Sequence, residues 1–151
     1  MMAEWLAHPT GTHQDHVIAH VIGATVLGYF VHEEAAHLLL DIGFFWTILL
    51  DGEMGLVTQS LAIAELEIDE REKGLIREDV ERLHAGEGEE ARPLSFMTRA
   101  PLEFLIEEVS FYARDEQRRV LVRGPAGVRL FIETSLVTRE IRIGLEAGEI
   151  A

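Results

Sequence analysis

Residues 118–134, RRVLVRGPAGVRLFIET, constrain the fold most, because apolar and polar side chains alternate on both sides of a short loop. A period of two is typical of a β-strand with one buried face. A two-residue turn would set Val122 opposite Arg129, whereas a three-residue loop at 125–127 aligns side chains of the same kind. With that loop the predicted cross-strand pairs are Val120–Ile132, Val122–Leu130, Arg119–Glu133, Leu121–Phe131 and Arg123–Arg129.

A further strand follows this hairpin, because TREIRIGLE alternates through Ile141, Ile143 and Leu145. The segment before the hairpin is ambiguous. Residues 101–113 carry an apolar stripe at helical spacing, yet the RDEQ that follows suits a hairpin turn. We therefore predict a C-terminal meander and leave 101–113 as either helix or strand.

The N-terminal part contains an apolar tract from His16 to Leu50 that is rich in valine, isoleucine and aromatic residues, which favours strands. A hairpin turn centred on Glu34 and Ala35 would align its apolar positions. The pairs expected from that turn are Val31–Leu38, Tyr29–Leu40, Leu27–Ile42, Thr25–Phe44 and Gly23–Trp46. Before this tract we expect a short segment, residues 1–14, with one helical turn ended by Pro9 and Gly11.

A third strand is expected after Asp51-Gly52, a pair that type I′ turns prefer. In that register Trp46 would meet Val57 and the strand would run on through Ile63. Residues 56–68 also fit a helix, so both alternatives stay open. Residues 69–84 predict a surface helix, because the apolar positions recur at i, i+4 and i+7 among charged residues. The acidic stretch 85–93 is expected to be a flexible loop within one domain that spans 1–151.

Composition excludes several kinds of function. The 151-residue chain has no cysteine and a formal net charge of −14, so thiolate catalysis is excluded, and binding to nucleic acid or to membranes is disfavoured. The N-terminus lacks the basic flank and apolar run of a signal peptide, and we expect a cytoplasmic protein. Seven arginines against four acids between Arg114 and Arg142 suggest a sheet face lined with arginine beside glutamate, or else an anion-binding face.

Histidine is the residue type with the most uneven distribution, because six of the seven lie within the first 37 residues. Those at 13, 16 and 20 would share one face of a helix, where imidazoles can supply three ligands to a metal ion. Those at 32 and 37 would lie opposite each other across the hairpin. The histidines of HEEAAH are five apart and do not form a zinc-protease helix. We expect no cofactor, or alternatively a divalent transition metal such as zinc on His13, His16, His20, His32 and His37.

The sequence thus predicts an α+β fold, in which an antiparallel sheet from an N-terminal hairpin or meander and a C-terminal meander carries one or two helices. The expected function is that of a non-enzymatic accessory or binding protein that acts as a homodimer or holds a protein partner. The face to be covered by that partner comprises Phe30, Val26, Ile22, Leu39, Phe45 and Leu49. Two alternatives stay open: a metal-binding protein or metal-dependent enzyme, and a binder of a small apolar ligand between Phe44, Trp46 and Tyr29. No residue pattern identifies a catalytic group or a substrate.

Overall fold

The computed structural model describes residues 4–86 and 93–146, and within them shows an α+β fold of two five-stranded antiparallel sheets and three α-helices. The helices are α1 (Thr12–Val21), α2 (Gln59–Ala64) and α3 (Glu70–His84). The strands are β1 (Leu6–Ala7), β2 (Thr25–His32), β3 (Ala35–Leu40), β4 (Phe44–Leu49), β5 (Met54–Thr58), β6 (Thr98–Leu105), β7 (Glu108–Arg114), β8 (Gln117–Arg123), β9 (Arg129–Ser135) and β10 (Ile141–Glu146).

The N-terminal sheet has the strand order β5-β4-β3-β2-β6, and the C-terminal sheet has the order β1-β7-β8-β9-β10. The chain passes from one sheet to the other between β6 and β7. There the backbone N–H of Ile106 donates to the Ala24 carbonyl, and the N–H of Glu107 donates to the Arg123 carbonyl. Adjacent residues at this crossing are therefore hydrogen-bonded to segments that belong to different sides of the two-sheet stack.

The main core fills the space between the two sheets. Trp46 and Ile48 of β4 pack there with Val122 of β8 and Ile132 of β9, and none of the four side chains is exposed to solvent by more than a trace. The longer strands contribute alternate residues to this layer, because side chains on a strand point to opposite faces.

The opposite face of the N-terminal sheet is covered by α2 and α3. Phe30, Leu39 and Phe45 are buried against these helices, and Phe45 is only 1% exposed. The prediction that a partner covers this face is therefore wrong for its central residues, because the amphipathic segment 59–84 supplies the cover. The other members of the predicted face lie elsewhere: Val26 is in the inter-sheet core, and Ile22 and Leu49 are exposed.

A buried carboxylate holds the chain after α3 in place. Asp79 of α3 is fully buried and accepts hydrogen bonds from the backbone N–H groups of residues 95–97, at 2.7 to 2.9 Å. A carboxylate with three N–H donors is satisfied without water. The acidic loop predicted at 85–93 lies mostly outside the described residues, so that prediction is not resolved.

The C-terminal register is confirmed pair by pair. All five predicted pairs between β8 and β9 occur, and the Pro-Ala-Gly loop uses positive φ at Ala126 and Gly127. β10 extends the meander as predicted, with Ile143 opposite Ile132. Residues 101–113, which the sequence left open, belong to the two strands β6 and β7.

The N-terminal hairpin turns one residue earlier than predicted, at Glu33 and Glu34. Val31 therefore lies opposite Ala36 instead of Leu38, and a bulge near Leu27 shifts the register again. Glu33 takes a φ of +52°. Glutamate is not a residue that marks such a turn, because positive φ is disfavoured for residues with a Cβ.

Three other N-terminal expectations are also wrong. Leu6 and Ala7 form an edge strand on β7 instead of a helical turn, and residues 16–21 are part of α1 instead of a strand. The third strand pairs Trp46 with Leu56 instead of Val57 and ends at Thr58, whereas the helical alternative for 56–68 is confirmed in part by α2. No helix within residues 4–86 and 93–146 has the length and apolarity needed to cross a membrane.

Candidate functional site

A cavity of about 500 Å³ lies on the helix-covered side of the N-terminal sheet, where α2 does not fully cover β3, β4 and β5. Its walls are mainly apolar, and include Ala35, Leu49, Val57, Ala62 and Leu66. A volume of several hundred Å³ with apolar walls and few polar groups is typical of a site for a small organic ligand.

Two polar side chains of the sheet line this cavity together. His37 and Thr47 are direct neighbours across β3 and β4, and His37 Nδ1 lies 3.0 Å from Thr47 Oγ1. The imidazole ring stacks on Phe30 with 4.9 Å between ring centroids, which fixes its orientation. The pair therefore offers hydrogen-bonding groups in a wall that is otherwise apolar.

Burial, and to a smaller extent the charge of the nearby His32, lowers the pKa of His37 to about 4. An imidazolium would lose its hydration in this environment, so the neutral ring is favoured. At neutral pH the cavity therefore holds an uncharged imidazole, which donates through one ring nitrogen and accepts through the other.

The charged groups at the cavity are acidic. Glu53 and Glu65, both exposed, line it together with His13, and the described lining residues include no lysine or arginine. Carboxylates at the boundary of an apolar cavity repel anions and attract cations. The site is therefore better suited to neutral or cationic ligands than to anionic ligands.

The structure places the five predicted metal ligands in two regions. His13, His16 and His20 are exposed residues of α1, and the His16 carbonyl lies 2.8 Å from His20 Nδ1. His32 and His37 are in the hairpin, but not directly opposite as predicted: the ladder pairs His32 with Ala35 and His37 with Phe30.

Only His13 and His37 of these five line the cavity. Among residues 4–86 and 93–146, no group of three or more histidine, aspartate and glutamate side chains is arranged so that it could hold a metal ion. The described residues thus do not bring the predicted ligands together, and metal binding stays a prediction from the sequence.

The apolar site predicted between Phe44, Trp46 and Tyr29 does not coincide with the cavity. Trp46 is fully buried in the inter-sheet core, and Tyr29 packs against the same core. The cavity lies on the opposite face of β4, beside Thr47. Sequence reasoning missed it because its lining comes from α1, three strands and α2, which no local motif connects.

The arginine-rich face of the C-terminal sheet is balanced by glutamates. Glu133 lies within 4.0 Å of both Arg119 and Arg142, and Glu146 lies within 3.5 Å of both Arg119 and Arg129. These ion pairs confirm the interpretation of the arginines as a sheet face beside glutamates. A carboxylate beside Arg119, Arg129 and Arg142 weakens the attraction of these side chains for an anion.

A second cavity, of about 460 Å³, opens where β6 and β10 face each other. Leu27, Leu83, Pro101 and Leu102 line it together with Arg99. It has no counterpart to the paired imidazole and hydroxyl of the first cavity, which we therefore take as the candidate site.

No family model, no curated protein and no solved structure matches this chain. The chain is thus an α+β protein in which a helix-covered sheet carries a mainly apolar cavity with His37 and Thr47 in its wall.

Proposed function

We propose that this protein is a non-enzymatic binding protein that holds a small, mainly apolar ligand in the cavity beside His37 and Thr47. The observation that supports this is the combination of an apolar cavity of about 500 Å³ with one oriented pair of neutral polar side chains. An apolar body gains affinity from leaving water, and one or two hydrogen bonds fix its orientation.

The ligand expected for this site has an apolar body and an uncharged or cationic polar group. A hydroxyl, carbonyl or amide group would hydrogen-bond to His37 or Thr47, and an amine would also be attracted by Glu53 and Glu65. A carboxylate or phosphate would be repelled by the same acids. Alcohols and amides of moderate size are therefore the preferred class.

The contact between His37 and Thr47 resembles a general base beside a nucleophile, but its properties favour binding over catalysis. A general base works best with a pKa near the working pH, whereas that of His37 is about 4. In the described part of the chain the ring nitrogen Nδ1 of His37 faces the Thr47 hydroxyl, whereas in a catalytic triad it would face an orienting carboxylate.

The proposal is tested by fluorescence titration with Nile red, a neutral apolar dye. Wild-type protein should bind it saturably with a blue-shifted emission. Ala62→Trp puts a bulky side chain into the cavity, and Ala64→Trp adds the same side chain at an exposed position of α2 outside it. We expect Ala62→Trp to weaken binding at least about tenfold and Ala64→Trp to leave it unchanged. Equal binding by wild type and Ala62→Trp would contradict the site.

We further propose that the protein acts as a homodimer in the cytoplasm, with association with another protein as the alternative. The cysteine-free composition fits a reducing compartment. Support for the homodimer comes from an unpaired strand edge, which is distinct from the helix-covered face on which the sequence placed the partner.

A further inference from the structure

Two stacked open sheets have four edge strands, and three of these are protected from pairing with another chain. β1 is only two residues long, and α1 and α2 pack against β5. β6 contains Pro101 and a bulge in which residues 100–103 face the single residue Leu27 of β2. Short length, coverage, proline and bulges are the devices by which proteins prevent edge-to-edge association.

The fourth edge, β10, has none of these devices. It is six residues long, contains no proline or lysine, and keeps an unbroken register with β9. Leu145 is 47% exposed at this edge. In the described part of the chain no strand pairs with the free side of β10.

The direction of the β10 backbone groups follows from the neighbouring hydrogen bond. The N–H of Ser135 donates to the Glu140 carbonyl at 3.0 Å, in the same register as the β9–β10 ladder. Because hydrogen-bonded pairs alternate in an antiparallel ladder, the groups of residues 142, 144 and 146 point to β9. Those of residues 141, 143 and 145 point to the free edge, ready for another strand.

We propose that β10 pairs antiparallel with β10 of a second copy of this chain, around a two-fold axis at Gly144. In this register Ile143 exchanges hydrogen bonds with Leu145 of the partner subunit. Arg142 then lies opposite Glu146 of the partner subunit, and the two-fold axis makes this contact twice. The inference rests on the proposed homodimer and names its interface.

The neighbouring registers are less favourable. Hydrogen bonds can form only between two residues whose backbone groups both point to the free edge, which are residues 141, 143 and 145 of each copy. Pairing among these residues places the two-fold axis at a residue and not between two residues. An axis at Arg142 would oppose two arginines, and an axis at Ile143 would set Arg142 against Gly144. Of these three registers, the axis at Gly144 is thus the one that sets opposite charges against each other and also sets apolar side chains against each other.

Intrachain contacts already hold these charges on the outer face of the sheet. Arg142 donates to Glu133 at 2.7 Å, and Glu146 lies near Arg119 and Arg129. A six-residue strand pair buries much less than the roughly 1,600 Å² of a standard interface, so we expect a weak dimer in equilibrium with monomer.

The first test is sedimentation velocity of the full chain from about 5 to 500 µM. We expect the wild-type mass to rise from 17.0 kDa towards twice that value. Leu145→Lys places a charge in the proposed contact and should remain monomeric throughout. Val137→Lys makes the same kind of change at an exposed apolar residue outside β10, and should dimerise like wild type.

The second test addresses the register. Arg142→Glu should weaken dimerisation at least about tenfold, because like charges then face each other, and adding Glu146→Arg should restore it to within about threefold. Thermal melting of each variant checks that the fold is retained. If Arg142→Glu fails to fold, Leu145→Lys still tests the β10 contact. A double variant as weak as the single variant would overturn the register at Gly144.

The outcomes separate the interface from the proposed functions. A dimer that is unaffected by Leu145→Lys would overturn the β10 interface and leave the homodimer proposal standing. A wild-type monomer at every concentration would overturn both. Nile red binding by that monomer would still support the ligand site, because the cavity and β10 are formed by different strands.

Discussion

Acidification should destabilise this protein through His37 in particular. Its pKa is lowered from 6.5 to about 4 by burial and by His32. Above about pH 6.5 the ring is neutral in both the folded and the unfolded chain, so it has no effect there. As the pH falls from about 6.5 towards 4, the unfolded chain takes up a proton that the folded protein does not, and stability decreases.

The magnitude follows from the two pKa values. A difference between 6.5 in the unfolded chain and about 4 in the folded protein corresponds to about 3 kcal/mol, fully lost once the pH is near 4. Because His37 keeps some exposure to solvent, we expect the free energy of unfolding to fall by about 2 kcal/mol through His37 by pH 4.5. Carboxylates also titrate in this range, so the effect has to be isolated by comparison with a variant.

The comparison is between wild type and His37→Gln, which removes the titrating ring and keeps a side chain that can hydrogen-bond to Thr47. Urea denaturation at pH 7.5, 5.5 and 4.5, followed by fluorescence of the buried Trp46, gives the free energy of unfolding of each. From pH 7.5 to 4.5, wild type should lose about 2 kcal/mol more than the variant. Equal losses would refute the assignment of a low pKa to His37.

Further predictions concern packing and buried polar groups, each checked by urea denaturation. Asp79→Ala should lower the free energy of unfolding by about 3 to 5 kcal/mol, because three N–H groups of residues 95–97 lose their acceptor; a loss below about 1 kcal/mol would contradict this. Gly124→Ala should cost about 1 to 3 kcal/mol, because its Cβ would lie 2.6 Å from the ring of Phe104. Phe45→Ala should cost about 3 to 5 kcal/mol without changing the oligomeric state, since this chain's own helices bury the ring.

The β8–β9 hairpin was predictable to the residue because its loop carries the register signal. Only a three-residue loop at 125–127 aligns Val122 with Leu130 and Arg119 with Glu133, and both pairs occur. Alternation and loop chemistry point to the same register, so no competing arrangement of similar quality exists.

The N-terminal hairpin lacked such a signal, and its turn was predicted one residue too late, so that Val31 lies opposite Ala36 instead of Leu38. Its turn is formed by Glu33 and Glu34, which sequence preferences do not mark, and a bulge near Leu27 shifts the register of β2 with both β3 and β6. Residues 59–64 are apolar at both strand and helix spacing. Contact with the sheet decides for α2, as tertiary packing often overrides local preference.

The candidate site was the least predictable part. The histidine cluster gave the only local signal, and the described residues bring just His13 and His37 of the five to the cavity. The low pKa of His37 and the apolar walls arise from packing of α2 on the sheet. Properties created by burial are not visible in a linear sequence.

The most direct test of the ligand site is a ¹H–¹⁵N NMR titration of the assigned protein with 1-octanol, a neutral alcohol with an apolar body. We expect saturable shifts that are largest at the amides of Thr47, Gly55, Val57 and Ala62, around the cavity. No saturable shifts, or the largest shifts at Leu102 and Leu145 of the second cavity, would contradict it.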